Sequence, residues 1–331
     1  MKRRDFLKSS AALAGAATFT AAGPARAQAV SQPEVIRVGH LVGICMSPLF
    51  YADAMGYFKD EGLKVELKHM PNPGDGLAAL TSGATHITHV PFTNVVVAAS
   101  NGAPVRIIAG SGAGGIFLIA QGSTGIKTTD DLKKAKGKGL KIGSQRLNTF
   151  ELMTYRTLAN NGLTYDDFQM VWFNDVLSLA AGFEGKAVDL VAHVEPFATR
   201  LVDKMGGVPI ASNRDTWGND GPDCVTNARV DFITQYPEAT KRYLRALLKA
   251  DAAIKGNMPQ AVEILDKGKY YRVDKDTLKA ALPRQTPQVD LTRGGDKGMD
   301  IAMKDMVTLG YLKKMPDNVT EFGPLREALK G

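Results

Sequence analysis

Three short segments concentrate the side chains able to do chemistry: Cys45-Met46-Ser47, Arg146 with Asn148 and Thr149, and Asp175 with Glu195. None has the layout of a catalyst, because the sequence has neither a Gly-x-Ser-x-Gly elbow nor a His-Glu-x-x-His helix. His86-x-x-His89 and His193-x-Glu195 have metal-like spacings, but no Cys or His cluster completes a ligand set. No metal, no cofactor and no enzymatic activity is therefore expected. The residue types suit binding instead. Backbone N–H groups near Ser47 and Thr149 fit an anion or the electron-rich edge of a polar ligand, and Arg146 would clamp a sulfonate or carboxylate through two parallel bonds. Asp175 and Glu195 suit a ligand with an amino group.

Each candidate also has a plainer reading. Cys45 and Ser47 could belong to a helix cap, and Met46 could be a flexible filler. Thr93 and Asn94 follow His89 at the end of a strand; His89 either donates to a ligand or is a satisfied buried histidine. Ser111 lies in a loop, Gly110–Gly115, whose spacing does not match a phosphate-binding loop, so a tight turn near a hinge is expected. Arg146 could face solvent, and Glu195 could pair with a backbone turn or with Arg200. Trp172, Phe173 and Trp217 read as core by default. Cys45 and Cys224 are the only cysteines, and spacing alone leaves their pairing open.

These residues depend on elements that the sequence punctuates clearly. Val35, Ile36 and Val38 start a strand, Pro48 suits a first helical turn capped by Ser47, and Gly62 ends the helical stretch before Leu63, Val65 and Leu67 alternate. Residues 140–173 repeat this plan: a strand, the polar loop Ser144–Asn148, a capping-box spacing from Asn148 to Glu151, Gly162-Leu163, and a strand. Between and after them come strands near Thr85–Val90, Val105–Ala109, Ile116–Ala120 and Val188–Ala192, with helices at Phe92–Ser100 and Phe197–Met205. A helix is also expected at Leu77–Ser82, after a turn-rich loop at 71–76. Beyond Gly221-Pro222 the pattern becomes helical. The order predicts an α/β class with parallel-rich sheets in two lobes, and ligand loops at strand C-terminal ends.

The first 27 residues stand apart. Arg3-Arg4 with Phe6-Leu7-Lys8, an Ala-rich run and Ala25-Arg26-Ala27 resemble a bacterial twin-arginine export signal. That resemblance implies export in a folded state, cleavage after Ala27 and a periplasmic location. The segment holds five basic residues and one acid, a net +4, so its removal lowers the formal charge from +7 to +3. No basic stripe interleaved with aromatics is present, and nucleic acid is not an expected partner.

Taken in order, Pro48-Leu49-Phe50-Tyr51-Ala52, Gly56-Tyr57-Phe58, Glu61-Gly62-Leu63, Gly74-Asp75-Gly76-Leu77, Leu80-Thr81-Ser82-Gly83, Ile126-Lys127-Thr128 and Glu195-Pro196-Phe197 resemble the substrate-binding proteins of bacterial ABC importers. The nitrate, sulfonate and taurine type is the group resembled, with relatives that bind thiamine-pyrimidine precursors. The resemblance implies a type II periplasmic-binding-protein fold with a hinge, an interlobe cleft and a helical C-terminal tail. It implies one lobe at 35–119 with 218–331, and another at 120–217. It further implies a monomer that hands a small molecule to an ABC permease and its ATPase. The alternative is a pyrimidine-precursor binder or a pyrimidine-synthesis-like enzyme; two cysteines cannot supply the cysteine-rich motif of those enzymes.

Overall fold

The computed structural model describes residues 33–218 and 221–331; the signal segment and its expected cleavage point lie outside these. Alternation builds the first strand: Ile36 and Val38 are buried in β1 (Ile36–His40). Parallel partners β2 (Val65–His69) and β3 (Ile87–Pro91) flank it. Then come β4 (Val105–Gly114), β5 (Ile116–Ala120), β6 (Lys141–Ser144), β7 (Gln169–Trp172), β8 (Leu190–Val194), β9 (Val208–Ser212), β10 (Pro222–Arg229) and β11 (Gln285–Pro287). They form a six-stranded sheet, β11-β4-β10-β3-β1-β2, and a five-stranded sheet, β7-β6-β8-β5-β9.

The two sheets share one plan. The β2-β1-β3-β10-β4 order of the first matches β7-β6-β8-β5-β9 of the second, and in each the antiparallel strand is the one that enters from the other sheet. The first crossing lies between β4 and β5, at Gly114 and Gly115, both left-handed at φ 74°. A Cβ on Gly115 would come within 2.5 Å of Gln285, so this turn needs glycine for space as well as for φ. β5 pairs along its whole length in the second sheet, which puts the crossing a few residues before the 119/120 boundary that the resemblance implies.

Three local expectations are corrected. Gly110–Gly115 is not a loop, since β4 runs through to Gly114. Its glycines serve close approach: a Cβ on Gly110 would lie 2.1 Å from the Gln288 carbonyl, and one on Gly112 2.7 Å from Cys45 Cα. The turn-rich stretch before Leu77 is already helical from Pro73, because the Asn72 side chain accepts from Asp75 N–H at 2.9 Å and proline suits the first turn. The C-terminal tail holds the expected helices, such as Pro237–Gly256 and Met258–Lys267, but it also supplies β10 and β11. β10 is buried on both faces from Pro222 to Ala228, so it lacks the alternation that marks a half-buried strand.

Candidate functional site

The C-terminal ends of β1, β2 and β3 face those of β6, β7 and β8 across one cavity. Its lining comes from Leu41–Gly43, Cys45 and Met46 after β1, Pro71–Pro73 after β2, and Pro91 at the end of β3. From the second sheet come Gln145, Asn148 and Phe150 after β6, Asp175 and Val176 after β7, and Val194 of β8; Asp223 and Cys224 of β10 close the floor. The volume is about 30 Å³, against roughly 10–15 Å³ for one water on the same measure. Among the described residues lining it, none is Lys, Arg or His.

Five helices begin at this cavity: Ser47–Ala54, Pro73–Ser82, Phe92–Ser100, Thr149–Asn160 and Val176–Glu184. Each aims its positive end at the same space. Three are capped by their own side chains. Asn72 caps Pro73–Ser82; Asn148 accepts from Phe150 N–H at 3.3 Å; Asp175 accepts from Leu177 and Ser178 N–H at 2.8 and 2.9 Å. Ser47–Ala54 and Phe92–Ser100 have no side-chain cap. Ser47 does not cap as expected, because the 3-10 turn Ile44–Met46 winds directly into the helix and leaves Ser47 itself helical. Its hydroxyl is buried with no partner among the described residues.

Of the residues selected from sequence, Cys45, Met46, Asn148 and Asp175 line the cavity. Thr149 stands directly behind it, donating from Oγ1 to Asp223 at 2.7 Å and so joining the two sheets. Thr93 makes a second bridge, from Oγ1 to the Leu147 carbonyl at 3.0 Å; Asn94 only accepts from Thr93 within its helix. Leu147 is left-handed at φ 52°, a costly conformation for a leucine, and its N–H is held by Glu151 at 2.6 Å. Glu151 thus turns to Leu147 rather than completing the expected capping box with Asn148.

His89 and Ser111 do not reach the cavity but support it. His89 Nε2 lies 2.9 Å from Tyr243 Oη and its Nδ1 3.1 Å from Ser111 Oγ, which donates to the Cys45 carbonyl at 2.6 Å. Burial lowers the His89 pKa to about 3, so the ring is neutral and the chain of bonds fixes Cys45. Arg146 is exposed, stacks over Trp172 at 4.4 Å and is not among the residues lining this cavity. Glu195 is fully buried yet outside the lining. Its oxygens accept from Thr199 N–H and Oγ1, each at 2.9 Å, and Arg284 reaches it at 3.8 Å; Arg200 pairs with Glu184 instead. Burial lifts the Glu195 carboxyl to about 7 against the bonds from Thr199.

Asp223 is the group that sequence reasoning missed. It is buried and accepts from Thr149 and from Gln285 Nε2 at 2.9 Å, and burial raises its pKa despite these bonds. Asp175 differs: against the cost of partial burial, bonds from Ser178 and Leu177 hold it below the usual carboxylate range. The signal for Asp223 was its place beside Cys224, hidden by the turn-like Gly221-Pro222.

Known proteins fit this geometry. A Brucella abortus (strain 2308) protein, whose assigned name goes no further than a binding protein, is 28% identical over 96% of both chains. The periplasmic nitrate-binding protein of Synechocystis PCC 6803 superposes with a TM-score of 0.77 at 18% identity, covering 90% of this chain and 88% of its own. The periplasmic aliphatic sulphonate-binding protein of Escherichia coli gives 0.71 at 17%, covering 86% and 91%. The fold is therefore the two-lobed periplasmic-binding-protein fold. Residues 1–20 match the twin-arginine translocation signal model, so the chain is exported by that route to the periplasm. Residues 29–265 match the model of the NMT1-like family, and the chain belongs to that family.

Proposed function

We propose that the protein is a periplasmic receptor that captures a small polar molecule between its lobes and delivers it to an ABC permease without altering it. The observation that carries this is the convergence of five helix N-termini on one cavity lined from both sheets. The moving bodies follow the two sheets: the first runs to Gly114 and resumes at Pro222, the second starts at Ile116, and they hinge near the crossing at Gly114-Gly115 and the return before β10.

The ligand class best supported is a small oxyanion of the sulfonate or nitrate kind. With no cation in the lining, the anion's partners are the N–H groups of the two uncapped helices, Ser47–Ala54 and Phe92–Ser100. Asp223 adds a place for an amino group, so an aminosulfonate such as taurine uses both ends. A molecule of that size enters only when the lobes part, since the closed cavity has room for about two waters.

Thermal-shift titration of the exported protein with nitrate, alkanesulfonates, taurine, carboxylates and an aminopyrimidine tests this, because a specific ligand raises the unfolding midpoint by mass action. Taurine or an alkanesulfonate is expected to raise it, with Asp223→Asn weakening taurine more than an alkanesulfonate. A response to the aminopyrimidine alone would overturn the anion reading, and a chemically altered ligand by mass spectrometry would overturn the receptor reading.

A further inference from the structure

We infer that Cys45 and Cys224 form a dithiol–disulfide pair in the cavity floor, reduced when the chain folds and closed into a disulfide after export. This is independent of which ligand the cavity takes. The two residues are 179 positions apart, yet their sulfurs lie 2.7 Å from each other. They are the chain's only cysteines, so no other partner competes. Both are almost fully buried, but both line the cavity, so a thiol reagent reaches them when the lobes part.

The fold holds them in place from two sides. Cys224 lies opposite Gly112 in the β10–β4 ladder, and a Cβ on Gly112 would meet Cys45 Cα at 2.7 Å. The missing side chain is what lets the Cys45 backbone sit down on the ladder beside Cys224. Ser111, next in β4, anchors the Cys45 carbonyl. The export signal supplies the second half of the argument. A chain folded before export meets an oxidising compartment only afterwards, with the sulfurs already in contact.

A metal is the other occupant the cluster suggests, since ligand atoms of Cys45, Asp223 and Cys224 lie within 4.8 Å of one another. Two thiolates on one tetrahedral zinc, each at about 2.3 Å, stand roughly 3.8 Å apart, well beyond the observed separation. Burial raises both thiol pKa values, which opposes the two deprotonations that a metal requires at once.

Closure needs an oxidant, and a disulfide of a periplasmic oxidoreductase or of glutathione supplies it. One cysteine loses its proton and attacks a sulfur of that disulfide, whose other half leaves as a thiol. The second cysteine then attacks the mixed disulfide; the Cys45–Cys224 bond forms and the second thiol leaves. Two electrons and two protons pass to the oxidant. Asp223 Oδ2, 3.6 Å from Cys224 Sγ, is positioned to accept that thiol's proton.

The test is differential alkylation of the full chain, acid-quenched, denatured and treated with N-ethylmaleimide before intact-mass analysis. Protein recovered from the periplasm is expected to take up no reagent until it is reduced, and two equivalents afterwards. Protein held in the cytoplasm by Arg3→Lys with Arg4→Lys is expected to take up two without reduction. Reduction should also lower the thermal midpoint of the periplasmic wild type by several degrees and leave that of Cys224→Ser unchanged. Two free thiols in the periplasmic protein would overturn the inference, as would one zinc per chain that a chelator removes to expose them.

Discussion

The two sheets bring the same strand order to the cavity but differ in how many of their helix ends are capped. On the second sheet, Asn148 and Asp175 fold back onto the N–H groups of their own helices. On the first, the helices after β1 and β3 start without side-chain caps, and the backbone is fixed from behind through Ser111 and Gly112. The second jaw caps both of its helix ends at the cavity; the first caps the one after β2 through Asn72 and leaves the other two open. The difference teaches that a shared topology does not make the halves equivalent: the two helix ends left without caps both belong to the first sheet. Four perturbations would break or sharpen this contrast.

The largest effect is expected where the first jaw is seated. Gly112→Val places a branched side chain against the Cys45 backbone, where no flexible atom can yield. The loss should be about 3 kcal/mol or more, read as a lowered denaturation midpoint with an unchanged m-value. A neutral result would mean that the Cys45 turn is not held against β4, and the contrast between the jaws would collapse.

Next comes the pH dependence at Glu195, which ties the second sheet to Arg284. Its folded pKa of about 7 lies above the ordinary 4.5. The folded state therefore binds the proton more tightly, so this group's contribution is complete below pH 4.5 and is lost as pH rises through 7. The span is on the order of 3 kcal/mol. Buried His89 and His193, lowered by burial to about 3 and 4, act with the opposite sign, losing stability as pH falls below 6.5. Glu195→Gln isolates the acid: the difference between the variant and wild-type curves should change by about 3 kcal/mol between pH 4.5 and 7, while the histidine limb is common to both. An identical pair of curves would mean that Glu195 does not hold its proton more tightly in the folded state.

A smaller effect is expected at the bond joining the jaws. Thr149→Val keeps the shape but leaves Asp223 with one fewer donor in a buried site, at a cost of about 1–3 kcal/mol. Because Thr149 and Asp223 lie on opposite sheets, the variant should also weaken binding of whichever anion raises the wild-type midpoint. Lost stability with unchanged affinity would place this bond outside closure.

How far the sequence could be read follows the same division. The helix start that advertises itself through Asn148 was legible, as were strands half-exposed to solvent; Asp175 was chosen as a cleft carboxylate, and its role as a cap was not legible. β10 was not, because a central strand buried on both faces and carrying Asp223, Thr226 and Asn227 has neither alternation nor apolar continuity. With β10 went Asp223, the acid at the cavity floor. Arg146 and Glu195 were chosen for charge and loop position, yet a spacing cannot show that Trp172 and Thr199 already occupy them. The helix ends without caps were the hardest to see. Their distinguishing feature is a missing bond.

That missing bond supports the smallest and most direct comparison. Asn148→Ala removes a side-chain oxygen that accepts from Phe150 N–H, so it should cost about 1 kcal/mol, within the 0.5–2 range for helix caps. Ser47→Ala removes a hydroxyl that caps nothing and has no partner among the described residues, so its cost should be near zero or slightly favourable. If the first jaw meets the ligand through backbone N–H groups alone, Ser47→Ala leaves the ligand-induced rise in midpoint intact; a smaller rise would put the Ser47 hydroxyl itself among the ligand's partners.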